Sequence, residues 1–355
     1  MNDFQKIPFN DIVKFGQETM LDEGIFSVSW ILGRFCNYKC SYCWPYANTD
    51  KPDHYSFDTY KHTIDEIKRQ ARANGFNKFH FSFSGGEPTA YKHLLELIEY
   101  YEDYKSPYLS IHMTTNLSPN RTWWDRWLGV THVMDRRSIT ASYHAEFADE
   151  TEFGDKCLML MDNDTFVTVN QVMVPEMFNE YYDRCARLHE RGINVTLKPQ
   201  SDPTASFIVE GYTDEQMDKM QNGFPQTYDG EIVGAVKLYD SANNKYYIDQ
   251  AERFNAFGFN RFKGWSCNAG YQSCIIRGNE VKRAYSCSDA PLGTITDGFT
   301  LFKTPYKCVT DTCVSSADNK IPKFRKMDFL ENALQEQEML EISRQQSLRN
   351  KKERA

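Results

Sequence analysis

Three cysteines stand close together near the start of the chain, in the segment FCNYKCSYCW. Cys36 and Cys40 have three residues between them, and Cys40 and Cys43 have two. Thiolates gathered on one short loop are metal ligands by type. Three of them on a four-iron cluster leave one iron without a protein ligand. That open position can take a small molecule, as the open position of a catalytic zinc does. The alternative is a zinc site completed by His54 or a distant residue. Zinc sites more often use paired C-x-x-C knuckles, and Cys40–Cys43 is the sole such pair in the chain.

A second set lies between residues 265 and 315: Cys267, Cys274, Cys287, Cys308 and Cys313. Cys267, the apolar pair Ile275–Ile276, a turn at Gly278–Asn279, then Val281 and Cys287 outline a hairpin with a cysteine on each side. Four closed thiolates suit zinc as well as a cluster. Cys274 falls on a hairpin position that suits a buried apolar residue. It reads as a buried thiol, with a ligand role as the alternative. The remaining two of the ten cysteines, Cys157 and Cys185, sit in helical segments and read as core residues.

The elements that must position these groups are legible as alternation. Short apolar runs occupy 28–36, 79–83, 108–115, 138–143, 166–174 and 193–199. Between them lie segments of helical period, such as 56–75, 90–104 and 176–192, the last ending in a glycine suited to a C-cap. Six strand–helix repeats imply a parallel sheet, and right-handed crossovers would curl it into a partial (β/α)6 TIM-like barrel. Ligands then sit at the C-terminal ends of the strands, where the first cysteine loop falls. The expected fold class is α/β, with that barrel over 26–200 after an N-terminal segment, 1–25. A linker and hairpin region follows at 201–264, with a short helix around Thr213–Asn222. A small α+β cluster-binding module is expected at 265–324, and a charged C-terminal helix or tail at 325–355.

Composition narrows the function classes. Of 355 residues 41% are hydrophobic, enough for a large core. The net charge of −8 argues against broad nucleic-acid binding, which requires a basic face. No stretch approaches the roughly 20 apolar residues of a membrane helix. No basic, then apolar, N-terminal signal pattern is seen, so the expected location is cytoplasmic. Ten cysteines in a reducing compartment point to metal rather than disulfides.

The C-x-x-x-C-x-x-C loop after the first strand, with aromatic Tyr42 before its last cysteine, resembles the signature of the radical S-adenosylmethionine (SAM) superfamily. So does the turn Gly85, Gly86, Glu87 and Pro88 directly after the second strand. The resemblance implies a [4Fe–4S] cluster on Cys36, Cys40 and Cys43. The Gly-Gly-Glu-Pro turn would hold the amino group of SAM: paired glycines expose backbone groups at close range, and a carboxylate favours an ammonium. It further implies that Thr115 and Asn116 reach the SAM methionyl or ribose, that Ser142 contacts the ribose, that Lys156 lies near the carboxylate, and that Asn170 and Gln171 face the adenine. His144 and Glu146 are left as substrate-side groups, with a surface or capping role as the alternative. Cys157 could instead donate a hydrogen atom.

The second cysteine set, with the following LGTITDGF, resembles the C-terminal extension called SPASM, or its shortened form called twitch. This implies one auxiliary [4Fe–4S] cluster on Cys267, Cys287, Cys308 and Cys313. The implied activity is reductive cleavage of SAM to a 5′-deoxyadenosyl radical that abstracts hydrogen from a peptide or small-molecule substrate. The implied partner is an electron donor such as flavodoxin or ferredoxin. The alternatives are a non-catalytic iron–sulfur or zinc scaffold and an RNA-modifying relative, which the acidic charge disfavours.

Overall fold

The computed structural model describes residues 7–44, 47–102, 105–204, 207–225, 236–248, 258–287 and 291–325. The expected tail lies outside them from residue 326 on. In chain order the elements begin with β1 (Ile12–Gln17), α1 (Glu18–Glu23), β2 (Ile25–Ile31), α2 (Phe57–Ala73), β3 (Lys78–Ser84), α3 (Leu94–Tyr101), β4 (Tyr108–Thr115) and α4 (Arg121–Val130). They continue with β5 (Arg136–Ser142), α5 (Glu150–Met161), β6 (Thr165–Met173), α6 (Phe178–Glu190), β7 (Asn194–Pro199) and α7 (Asp214–Asn222). After these come β8 (Val236–Asp240), β9 (Lys245–Ile248), β10 (Ser266–Cys267), β11 (Ser273–Arg277), β12 (Glu280–Lys282), β13 (Gly293–Thr294) and β14 (Gly298–Phe299). The last are β15 (Tyr306–Lys307), α8 (Ser316–Asn319) and β16 (Lys323–Phe324).

Strands β2 to β7 lie side by side in sequence order, each parallel to the next. This is an α/β fold on a parallel sheet. The helices start where the sequence supplies a cap. Ser56, Asn120, Asp149 and Thr213 each accept a backbone N–H of the first turn, and Thr213 forms a capping box with Gln216. Helix α2 buries Tyr60, Ile64, Ile67 and Ala71 on one stripe against the sheet.

One face of the sheet is apolar. Phe26, Val28 and Trp30 of β2, then Phe79, Phe81 and Phe83 of β3, are fully buried in the main core. The other face is polar: Ser29, Ser82, His112, Thr140, Asn170 and Thr196 stand on it, all half-buried. Parallel sheets are normally apolar on both faces because both are covered. The alternation here marks one face packed under helices and one left for other contacts.

The cysteine-rich segment does not stand apart from the sheet. Strand β11 pairs in parallel with β2, and the antiparallel β12, β13 and β14 continue outward. The physical reason is the free edge of β2, whose N–H and C=O groups require a partner. The segment is also tied to α2. Gln70, buried, donates to Phe299 O at 2.8 Å and accepts from Leu301 N at 2.7 Å. Residues 12–17, expected as part of an N-terminal segment, form a strand of a second sheet, in the order β15-β10-β16-β1-β8-β9.

Candidate functional site

The loop after β2 carries Cys36 and Cys40, both half-buried, and Cys43, exposed; all three thiols are free. It is fastened to the ends of three neighbouring strands. The first tie is backbone to backbone: Gly86 N donates to Gly33 O and Glu87 N to Phe35 O, each at 2.9 Å. The approach leaves no room for a side chain, since a Cβ on Gly86 would lie 2.2 Å from Phe35 O and one on Gly85 2.2 Å from Gly33 O. Gly85 also has φ +137, a region that L side chains rarely adopt. The paired glycines thus seat the cysteine loop directly on the turn after β3.

The second tie runs through Glu87. Its carboxylate is buried and takes four donors: Thr89 N and Oγ1, Thr115 Oγ1 at 2.8 Å, and Asn116 N at 2.7 Å. Burial pushes its pKa up, and the hydrogen bonds oppose that. Asn116 Nδ2 then donates to Asn37 Oδ1 at 2.9 Å, and Asn37 Nδ2 to Ser118 Oγ at 2.9 Å. Lys156, buried, donates to Leu117 O at 3.0 Å and pairs with Glu152 at 2.8 Å. Pro88 starts the short 3-10 turn that follows. Glu87, Thr115, Asn116 and Lys156 therefore all have protein partners that hold the end of β4.

The third tie comes from the end of β5. Ser41 N donates to Glu146 Oε2 at 2.8 Å, and Ser41 Oγ donates to Glu146 Oε1. The Tyr42 hydroxyl is 2.7 Å from His144 Nδ1. Tyr38 stacks on Phe147 with ring centroids 4.9 Å apart. Ser142, one strand end away, faces Asn170 in register. Gln171, next along β6, points to the opposite, fully buried side and donates to Val172 O. Asn170 and Gln171 therefore do not share a face, because strand neighbours alternate. Cys157 is buried in the main core, as is Cys185.

Burial is the main influence on the three thiols and raises all of them, Cys40 to about 12. Cys40 also feels the negative charges of Glu146, Cys36 and Cys43, against a lowering hydrogen bond from Tyr42. The three sulfurs thus share one electrostatic environment. Among the described residues no three His, Cys, Asp or Glu side chains converge as a single metal ion requires. A four-iron cluster sets a different condition, since each thiolate binds a separate iron. Three free thiols on one restrained loop fit that group by donor type, and its binding would release their protons.

A radical SAM superfamily model matches residues 30–222, more than half of the chain. The chain belongs to the radical SAM superfamily. Superfamily members are enzymes, and the domain implies SAM and a [4Fe–4S] cluster. Among solved structures, "Native anSMEcpe with bound AdoMet" is similar at TM-score 0.50 and 14% identity, covering 78% of this chain and 79% of that one. A polyhistidine-tagged form of anSMEcpe with bound AdoMet matches at TM-score 0.50 and 13% identity over the same shares. At this identity the likeness is one of fold. No curated protein matches the chain. Among the described residues no helix is long and apolar enough to cross a membrane.

Four of the second set, Cys267, Cys287, Cys308 and Cys313, lie around β10 and its neighbours. Cys267 lies in a small apolar cluster against which Cys287 and Cys308 pack. Cys308 N donates to Trp265 O at 2.7 Å, close to Cys267 in sequence. Cys313 is held by a 2.8 Å bond from its N–H to Asn260 O, and it shares an electrostatic interaction with Cys267. Cys274 is elsewhere: buried in the main core on β11, opposite Val28, its thiol pushed up to about 12 by desolvation.

The sequence pattern did not single out Asn37 and Ser41, which occupy the variable positions of the cysteine loop. It also left His144 and Glu146 on the substrate side, where the structure has them gripping the loop. Their partners lie 79 to 105 residues away, and no local signal marks such pairs.

Proposed function

We propose that this radical SAM chain uses its Cys36/Cys40/Cys43 cluster to open SAM reductively and to oxidise or rearrange a peptide or small-molecule substrate. The observation that carries the reading is the cysteine loop itself, which follows β2 and is braced by the ends of three neighbouring parallel strands. When bound on Cys36, Cys40 and Cys43, the cluster would supply one electron for the cleavage of SAM to methionine and a 5′-deoxyadenosyl radical, which would take a hydrogen atom from the substrate. The chain's own residues do the rest. Gly85, Gly86 and Glu87 fix the loop, and Ser142 and Asn170, paired across β5 and β6, are assigned to the SAM ribose and adenine. The half-buried Ser, Thr and His side chains of the inner face suit a substrate rich in hydrogen-bonding groups more than an apolar one. The sheet is read as a partial barrel with this face inside. Cys267, Cys287, Cys308 and Cys313 are proposed to hold an auxiliary [4Fe–4S] cluster that assists oxidation or substrate binding. A flavodoxin- or ferredoxin-type protein is the proposed donor.

The test is anaerobic reconstitution followed by reduction with SAM and candidate deuterated peptides and metabolites. Deuterium appearing in 5′-deoxyadenosine is the expected result and identifies the substrate. A colourless protein that takes up only zinc and never binds SAM would sink the reading in favour of a scaffold.

A further inference from the structure

We propose that residues 48–55 form a strap that holds the cysteine loop in its cluster-binding shape, with Asp53 and Asn48 as the positioning residues for Cys36 and Cys40. The inference rests on the superfamily assignment of the Cys36/Cys40/Cys43 cluster and not on any substrate. Among the described residues between β2 and α2 no helix or multi-residue strand forms, so the backbone groups of the loop need partners from outside it. Four of them find those partners in the strap. Asp53 Oδ1 accepts from Arg34 N at 2.8 Å and from Phe35 N at 3.1 Å, the two residues directly before Cys36. Thr49 N donates to Arg34 O at 3.1 Å, and Asn48 Nδ2 donates at 3.0 Å to Tyr38 O, two residues before Cys40.

Two further observations set the strap against the loop. Gly33 has no room for a side chain, since a Cβ there would lie 2.8 Å from Asp53 Oδ1 and 2.9 Å from His54 Cδ2. The far end of the strap is anchored to helix α2. The buried Tyr60 hydroxyl accepts from Tyr55 N at 3.1 Å and donates at 2.6 Å to Leu32 O, just ahead of the loop. One side chain of α2 thus ties both the strap and the start of the loop to the core. Asn48 Oδ1 also accepts from Lys39 Nζ at 2.9 Å, and Lys39 pairs with Asp50 at 2.7 Å. These last contacts are exposed and contribute little by themselves.

Three thiolates on one cluster must keep fixed separations. A loop already held in that shape loses less conformational freedom on binding, so the cluster is retained longer. The strap does this at small entropic cost, because its partners lie only 10 to 19 residues from the loop. The strand ends hold the loop at Asn37, Ser41 and Tyr42. The strap adds its hold on the backbone of Arg34, Phe35 and Tyr38. Removing the strap's acceptor at Asp53 therefore frees the chain next to Cys36 while the ties at the strand ends stay in place.

The experiment times iron release from the full chain, reconstituted anaerobically and reduced with dithionite, after addition of a ferrous chelator. Release is followed by loss of the EPR signal that changes on adding SAM, so that a second cluster does not interfere. Asp53→Ala removes the acceptor and is expected to release that cluster about tenfold faster, the scale of one or two hydrogen bonds lost. Asp53→Asn keeps an acceptor oxygen for the Arg34 and Phe35 N–H groups and is expected to stay within about threefold of the wild type. Asn48→Ala is expected to speed release by about fivefold. If Asp53→Ala takes up no iron, uptake by Asp53→Asn supports the proposal and Asn48→Ala supplies the rate. Wild-type release rates in both alanine variants, release as fast from Asp53→Asn as from Asp53→Ala, or loss of iron from all three variants would each overturn the proposal. Failure of the wild-type chain to bind a [4Fe–4S] cluster would instead overturn the function proposed above.

Discussion

At the scale of single residues, the Gly-Gly-Glu-Pro turn is a structural joint as much as a ligand site. Its glycines are required by distance: the backbone of the cysteine loop passes where Cβ atoms would be. Gly86→Ala puts a methyl 2.2 Å from Phe35 O and 2.4 Å from Arg34 O, both backbone atoms that move only with the loop. The expected cost is about 2 kcal/mol, the usual scale of overpacking. Because the strain falls on the cysteine loop, iron uptake at that site should drop with it. Thermal denaturation and iron analysis of the variant check both. A variant with wild-type stability and full iron content would show that the loop can shift freely. Glu87 works in the same joint. Its carboxylate gathers donors from its own turn and from the end of β4, so one charge aligns two strand ends.

At the scale of elements, the polar face of the parallel strands has a pH signature. His80 Nδ1 and Ser110 Oγ are 2.9 Å apart, and His112 Nδ1 and Ser138 Oγ are 2.9 Å apart. Desolvation is the main cause that holds His80 near a pKa of about 4 and His112 near about 3; the positive charges of Arg136 and Lys320 add to it at His80, and those of His80 and Lys320 at His112. The unfolded value is about 6.5. A histidine whose folded pKa is depressed stabilises the fold above the unfolded value, and that contribution is lost as pH falls below it. Stability should therefore decline between about pH 6.5 and pH 4. Urea midpoints at several pH values measure the slope, which should be shallower in His112→Gln than in the wild type. An equal slope in the two proteins would remove His112 from the account.

At the scale of the whole molecule, the cysteines divide by environment. Cys308 and Cys313 lie beside Cys267 near the second sheet, whereas Cys274 is packed in the main core. If both clusters are [4Fe–4S], the reconstituted chain holds about eight irons. Cys40→Ala and Cys313→Ala should each remove about four of them. Cys274→Ala should keep the full complement and cost about 1 kcal/mol in stability, as a small cavity does. Iron loss in Cys274→Ala to the same extent as in Cys313→Ala would reassign the auxiliary ligands.

The sequence by itself determined the elements and the donor types. All six expected strand runs coincide with β2 to β7, because the period of apolar residues and the caps are local signals read within a dozen residues. The helix expected around Thr213–Asn222 and the hairpin expected within 201–264, observed as β8 and β9, were legible for the same reason. Tertiary structure decided what the loops do to one another. Nothing near Gly86 announces that Gly33 and Phe35 will lie against it, and nothing near Ser41 announces Glu146, 105 residues on. The pairing of β11 with β2 joins residues some 245 positions apart, set by an exposed strand edge rather than by any repeat in the chain. The cysteine spacing could name an open cluster loop. Only the fold could make Tyr42, His144 and Glu146 its surroundings, because contacts between distant segments depend on where the sheet brings their ends together.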